Sequence, residues 1–435
     1  MKKIGVISLG CDKNRVDTEK MLYWLSEGGH SFTHEPADAD IIIINTCAFI
    51  APARKEAIDT VLEMAEYKKR GLEKLIVTGC LPEKYIDELR EGLPEVDLMI
   101  GINGYDGICG LIEGLYKNNP PAANHRPPPA NPLLNSNARI LTTPQHYAYL
   151  KISDGCNNRC AFCTIPSIRG KYREYGRESL ISEAKFLAKI GVKELILVAQ
   201  DVTAYGGLTD LISELEDIDG IEWIRLMYCY PERVTDKLIA KIAASPKICK
   251  YIDIPFQHAD DGILRLMNRR NNYAQAVGLI NRLRAATPDI SIRSTFITGF
   301  PGETDEAFER LCDFVKQAKL ANAGFFAYSR EKGTPAYSLS NQVPAAVKNK
   351  RVKILADIQK TVVAENNAAM VGKTLRVLYE GIDYNKGLFY GRTEYNAPDI
   401  DTKVYFKADF ADVGNFYNVL VTGAKGYDLT GVKDK

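Results

Sequence analysis

The stretch Cys156-Asn157-Asn158-Arg159-Cys160-Ala161-Phe162-Cys163 places three thiols within eight residues. It follows HYAYLKIS (146–153), an apolar run of strand composition, so the thiols lie beyond the C-terminal end of a strand. Downstream, strand-like runs alternate with helical ones: KELILVAQ (193–200), EWIRLMYCY (222–230), KYIDIPFQH (250–258), SIRSTFITGF (291–300) and AGFFAYS (323–329). Six such units imply an incomplete (β/α) barrel, smaller than the eight-strand form, with functional groups gathered at the C-terminal ends of its strands. Structural zinc wants four ligands, usually as two separated pairs. A four-iron cubane normally takes four thiolates. Three thiolates would leave one iron open to bind substrate; a zinc knuckle completed by a distant His or Cys is the alternative.

The number three recurs upstream. KIGVISLG (3–10), ADIIIINTC (39–47) and EKLIVTGC (73–80) read as strands, with VDLMIG (96–101) as a fourth, and amphipathic helices fall between them. Cys11, Cys47 and Cys80 each follow one of these strands. Their spacings match a βαβ unit, so they share one edge of a parallel sheet, where open α/β folds bind ligands. Three small buried core residues would be the bland reading. The other four cysteines, Cys109, Cys229, Cys249 and Cys312, show no shared pattern and read as core.

The whole chain bounds these readings. It has 435 residues, 46% hydrophobic and 26% charged, with a formal net charge of +1, so no global field draws it to nucleic acid. The longest apolar run, 41–44, is far too short to span a bilayer, and the N-terminus reads as a strand and not a signal peptide. Ten cysteines are too few for a disulfide scaffold and point to a reducing cytoplasm. Seven prolines in 118–144 mark a linker. A helical stretch after the barrel strands reads as leaving the barrel. From 372 on, short strands with Gly and Asn turn signals predict a small antiparallel barrel of about five strands. The expected organisation is α/β: a parallel-sheet domain (1–117), the linker (118–144), a partial (β/α)6 barrel (145–371) and an OB-like β-barrel (372–435).

With Phe162 before its last cysteine, the 156–163 loop resembles the signature of radical S-adenosylmethionine (SAM) enzymes. The resemblance implies that SAM chelates the open iron through its amino and carboxylate groups, and that one electron then yields a 5′-deoxyadenosyl radical. Cofactor contacts are expected at the strand ends: Phe162, Gln200, Asp201, Gln257, Gly299 and Pro301. The run Gly299-Phe300-Pro301-Gly302 resembles the adenine-contacting segment, and Arg293 is a candidate partner for the SAM carboxylate. His258 reads equally well as a core histidine.

Two three-cysteine sets, a partial barrel and a small β-barrel tail together resemble the methylthiotransferase family over essentially the whole chain. The tail resembles its TRAM domain. The resemblance implies two [4Fe–4S] clusters, on Cys156, Cys160 and Cys163 and on Cys11, Cys47 and Cys80, with the second supplying sulfur. GCDKNRVDTEKML (10–22), NTCAFI (45–50), IPSIRGKYR (165–173) and GRTEYNAPDID (391–401) are similar to the branch that modifies an aspartate in the twelfth protein of the small ribosomal subunit. Thr18 stands for its usual Ser and Asp399 for its usual Glu. The tail from 371 carries nine basic and nine acidic residues, a balance that suits a protein partner better than RNA. Its rim around Arg392 and Asn396 is expected to meet the substrate. The basic run RGKYREYGR (169–177) is either a secondary ribosomal RNA contact or a solvated face. A flavodoxin or ferredoxin would supply electrons. A tRNA adenosine methylthiotransferase and a non-catalytic iron–sulfur electron carrier are the alternatives.

Overall fold

Ile41-Ile42-Ile43-Ile44 has no polar face, and a strand of this kind must be covered on both sides. The computed structural model describes residues 1–102, 104–117 and 139–434; most of the proline-rich segment lies outside the described residues. The isoleucines lie at the centre of a five-stranded parallel sheet made of β1 (Lys3–Ser8), β2 (Ser31–Thr33), β3 (Ile41–Thr46), β4 (Lys74–Gly79) and β5 (Leu98–Ile100). The spatial order is β2-β1-β3-β4-β5. Alternation along β3 sends Ile42 and Ile44 into an apolar cluster with Ala57, Val61 and Leu89. It sends Ile41 and Ile43 into another with Met21, Leu25 and Leu111. Helices α2 (Ala51–Ala65) and α3 (Cys80–Gly92) therefore cover one face, and α1 (Asp12–Glu27) and α4 (Ile108–Tyr116) the other. Two elements escape the sequence pattern: β2 is a three-residue edge strand, and α4 contains Gly110 and Gly114, which weaken a helical signal.

The second sheet holds β6 (Tyr147–Lys151), β9 (Glu194–Val198), β10 (Trp223–Leu226), β11 (Ile248–Asp253), β12 (Ser291–Thr298) and β13 (Asn322–Ala327); a short antiparallel pair, β7 (Ser153–Asp154) and β8 (Arg173–Glu174), stands apart. Its order, β13-β12-β11-β10-β9-β6, follows the chain, and it stays open, as the six-unit pattern implies. The helix Ala345–Ala368 does not leave this sheet. Its Leu355 is fully buried, and its Gln359 Nε2 donates to the Leu320 carbonyl at 2.9 Å, just before β13. The tail forms a closed barrel of β14 (Thr374–Asp383), β15 (Leu388–Thr393), β16 (Val404–Lys407), β17 (Phe416–Lys425) and β18 (Asp428–Lys433). Val377, Tyr379, Val404, Phe406, Val419 and Val421 fill it. The chain groups into two compact units: residues 1–143, 149–159 and 163–186 in one, and 144–148, 160–162 and 187–435 in the other.

Within the second unit, a buried ion network joins the small barrel to the start of β9. Glu194 accepts from Arg225 Nε at 2.6 Å and from Arg392 Nη2 at 2.7 Å. Arg392 Nε also meets Glu380 at 2.8 Å, and Glu380 lies 3.2 Å from His146. Arg392 is only 1% exposed, which overturns its expected place on a substrate-facing rim. Its charge was legible in the sequence, but the buried carboxylate that neutralises it is about 200 residues away along the chain. Asn396 is likewise engaged, with Thr393 and Thr402.

Glu194→Ala should strand Arg225 and Arg392 without their shared acid, and a loss of about 3–5 kcal/mol is expected in urea unfolding. Burial pushes the Glu194 carboxyl up, but Arg225 and Arg392 outweigh it and hold it at about 2. Its folded value lies below the ordinary one of 4.5, so its stabilisation is complete above that pH and is lost as pH falls towards about 2. The urea midpoint of the wild-type chain should fall across that window, and less so in Glu194→Ala.

Candidate functional site

The order of the first sheet reverses between β1 and β3, and crevices at such a switch point bind ligands. Cys11 and Cys47 follow these two strands, and Cys80 follows β4, the next neighbour. Cys11 is the N-cap of α1. Cys80, expected at the end of a strand, is instead the first residue of α3. Helix N-termini favour a thiolate. Gly10 and Gly79 make the approach possible. Gly10 has φ +96°, and a Cβ there would stand 2.8 Å from Cys47 Cβ and 3.3 Å from its Sγ. Gly79 has φ +97°, and its Cβ would fall 2.2 Å from Asn45 Oδ1 and 2.6 Å from the Thr46 carbonyl. No other residue type fits either turn.

Asn14, on the first turn of α1 and 1% exposed, ties the three cysteine loops together. Its Nδ2 donates to the carbonyls of Leu9 at 3.1 Å and Thr46 at 3.0 Å, and its Oδ1 lies 3.5 Å from Cys80 Sγ. Burial pushes the Cys80 thiol up to about 12; Arg169 opposes this, while Cys11 and Cys47 add to it. Burial also raises Cys47, with Cys11 contributing. Cys11 thus acts on both of the other thiols, and the set as thiolates would need a cationic centre to neutralise it. Thiolate-only donors at shared loop ends fit an iron–sulfur cluster. Among the described residues, no three His, Cys, Asp or Glu side chains stand at the spacing of a single bound ion.

At the second set, the Cys156 N–H donates to the Gly170 carbonyl at 3.2 Å, and its Sγ lies 3.5 Å from the Asn158 N–H. Cys160 Sγ lies 3.6 Å from the Tyr230 hydroxyl and 3.7 Å from Arg269 Nη1, and that guanidinium stacks 3.9 Å above the Tyr230 ring. The loop backbone is pinned at Ala161, whose N–H donates to the Met267 carbonyl and whose carbonyl accepts from the Ala336 N–H, both at 2.9 Å. Phe162 packs against the cluster of Met267, Phe300 and Tyr328.

The expected cofactor contacts are placed unevenly. Gln257 has a left-handed backbone, φ 71°, and its Oε1 is buried without a hydrogen-bond partner, an acceptor that a bound ligand's donor would satisfy. The Gly299–Gly302 turn is built on buried Glu303, which accepts from the Gly299 N–H at 2.7 Å, Thr298 Oγ1 at 2.9 Å and Arg351 Nη1 at 2.7 Å. Pro301 is buried in that turn. His258 belongs to the same support: its Nδ1 accepts from the Asp260 N–H at 2.9 Å, and its Nε2 faces Glu303 at 3.3 Å. It is a buried histidine that supports the turn. Half-buried Gln200 precedes Asp201, which pairs with Arg233 and accepts from Thr203 Oγ1 at 2.7 Å.

Arg293 is held by acidic partners within the protein. It is the third residue of the eight-residue β12 and is paired with Asp253 and Asp401, each at 3.3 Å. In register it lies level with Asp253, the last residue of β11. The run 169–177 departs from expectation at its first residue, because Arg169 is 3% exposed. Asn14, Arg169, Tyr230 and Arg269 were not singled out from the sequence. Asn14 and Arg169 sat inside motifs read as whole strings, and nothing local marks Tyr230. A cavity of about 350 Å³, lined by Arg284, Ser291, Lys373 and Tyr395, involves none of the cysteines.

The chain matches the radical SAM superfamily over residues 150–315, the uncharacterized protein family UPF0004 over 3–101 and the TRAM domain over 371–433. It is 47% identical to ribosomal protein uS12 methylthiotransferase RimO of Acetivibrio thermocellus, covering 99% of this chain and 98% of that one. It is 46% identical to the protein of the same name from Thermoanaerobacter sp. (strain X514), covering 99% and 100%. In fold it is similar to the radical SAM methyltransferase TsrM from Kitasatospora setae, with a TM-score of 0.59 at 14% identity over 77% of each chain.

Asn14→Ala should leave the Leu9 and Thr46 carbonyls without their buried donor. A loss of about 1–3 kcal/mol in urea unfolding is expected, with less iron retained after anaerobic reconstitution and desalting.

Proposed function

Because the chain belongs to the RimO-type radical SAM methylthiotransferases, we propose that it adds a methylthio group to the β-carbon of an aspartate in the twelfth small-subunit ribosomal protein, uS12, using SAM and two [4Fe–4S] clusters. The observation that carries this reading is the pair of three-thiol sets, each one donor short of a closed four-iron site, in a chain similar over nearly its full length to enzymes named for that substrate. The balanced charge of the tail favours a protein substrate over the tRNA alternative.

Bound at a cluster with an open iron, SAM supplies a 5′-deoxyadenosyl radical that can take hydrogen from an unactivated C–H bond. This chain's own residues hold and shield that chemistry. Cys156, Cys160 and Cys163 leave the open position, and the Ala161 backbone bonds keep the loop rigid around it. Phe162 closes the apolar side. Gln257 Oε1 offers an acceptor, and the Gly299–Pro301 turn, held by Glu303, lets backbone approach the cofactor; Gln200 and Asp201 line the end of β9, the neighbour of β6. Cys11, Cys47 and Cys80 would hold the second cluster, which would supply sulfur. Organisation into 1–117, 118–144, 145–371 and 372–435 suits this division of labour. The reading implies a cytoplasmic enzyme, reduced by a flavodoxin or ferredoxin, with any RNA contact secondary. No helix among the described residues is long and apolar enough to cross a membrane.

Anaerobic reconstitution should give about eight irons per chain, halved by Ala at either cysteine trio; about four, unchanged by Ala at Cys11, Cys47 and Cys80, would refute the second cluster. Ala at Cys156, Cys160 and Cys163 should abolish 5′-deoxyadenosine formation, whereas Ala at the other trio should retain part of it and lose methylthio product. Offered uS12 and isopentenyl-modified tRNA separately with SAM and reductant, the enzyme should add mass to the protein. A gain on the tRNA alone would establish the alternative.

A further inference from the structure

Within the first unit, two tethers run between segments bearing the two cysteine sets. Thr164, the residue after Cys163 and 2% exposed, donates its hydroxyl to the carbonyl of Phe49, two residues after Cys47, at 3.0 Å. Arg169, at the end of the short helix Ile165–Ile168, forms the second. Its Nη2 meets Asp17 at 3.0 Å, Asn14 Oδ1, and Cys80 Sγ at 3.7 Å. Its Nη1 meets Asp154 at 2.9 Å, and the Asp154 carboxylate also accepts from the Gly155 N–H at 2.9 Å, just before Cys156. Lys151 completes the set, pairing with Asp17 and, at 3.3 Å, with Asp154. The two cations and two anions are each at most 5% exposed.

A buried ion set adds little stability over well-packed apolar residues. Folding alone does not account for this one, whose guanidinium also reaches a ligand sulfur. Hydrogen bonds and positive charge at the sulfurs of a cluster favour its reduced state and raise its potential. We propose that Arg169 is a positioning residue: it raises the reduction potential of the cluster on Cys11, Cys47 and Cys80 by donating to Cys80 and, through Asp154, holds the Cys156 loop in register with that site. The inference rests on the two-cluster reading. Asp17 and Asp154 orient the planar guanidinium fork, and Lys151 balances their charge. A lysine at 169 could keep the charge but not reach an aspartate on each side and the sulfur at once.

The test uses the full chain with Cys156, Cys160 and Cys163 changed to Ala and reconstituted anaerobically, so that about four irons report the other site. In that background, Arg169→Gln should lower the cluster midpoint in a spectroelectrochemical titration. The expected shift changes the reduced-to-oxidised ratio about tenfold, or about 59 mV for one electron. Arg169→Lys should recover part of it. A purely structural arginine would change iron retention and unfolding but not the midpoint of the cluster that remains. An unmoved midpoint in a loaded Arg169→Gln chain overturns the proposal and leaves two clusters standing. A triple-Ala chain that binds no iron overturns the two-cluster reading and this inference with it. If Arg169→Gln does not fold, Arg169→Lys decides alone: a lowered midpoint supports the role, an unchanged one overturns it. With all six cysteines present, Arg169→Lys should raise the ratio of 5′-deoxyadenosine to methylthio product several-fold, and an unchanged ratio overturns the claim about the Cys156 loop.

Discussion

In a parallel sheet every strand runs the same way, so every loop that leaves a strand's C-terminal end emerges at one edge. That constraint brings Cys11, Cys47 and Cys80 together although 69 residues separate the first from the last. It also explains why the isoleucines of β3 matter to chemistry. With both faces buried, β3 cannot slip by one residue without exposing the wrong side chains, and its register holds Cys47 beside Gly10. The two glycines with positive φ are the local consequence, since backbone and thiol come closer at these turns than a Cβ allows.

The same directional rule orders the second sheet, but there the polar groups at strand ends divide into two kinds. Glu303 and His258 build the turn that carries Gly299 and Pro301, and their hydrogen-bonding groups face each other and the backbone. Gln257 keeps an unsatisfied oxygen on a strained backbone, the pattern expected where a ligand completes the site. Elsewhere Arg293 pairs with both Asp253 and Asp401, and Glu194 and Glu380 pair with Arg225 and Arg392. These charges join the small barrel to the sheet.

Arginine recurs beside sulfur. Arg169 approaches Cys80 and Arg269 approaches Cys160, both at 3.7 Å. Each is held by other partners, Arg169 by two aspartates and Arg269 by the Pro255 carbonyl and the Tyr230 ring, so the approach to sulfur is imposed by the fold. A preorganised donor next to a thiolate is inexpensive to keep in place once those partners exist.

The sequence by itself determined the fold class and the place of Cys11, Cys47 and Cys80 just past three strands of one sheet. Strand composition has a short period, and the position of a residue just past a strand follows from local pattern. It did not determine where charges go. Arg169 looked like the start of a solvated run and is buried, Arg392 looked like a rim residue and is sealed against Glu194, and Arg293, read as a cofactor partner, is engaged by two aspartates. Each is neutralised by a residue distant in the chain: Asp17 for Arg169, Glu194 for Arg392, and Asp253 and Asp401 for Arg293. A charge carries no periodicity that reveals its partner. Only the tertiary structure, by bringing distant strands and helices into contact, decided which cations face solvent, which tie the small barrel to the sheet and which reach a cysteine sulfur.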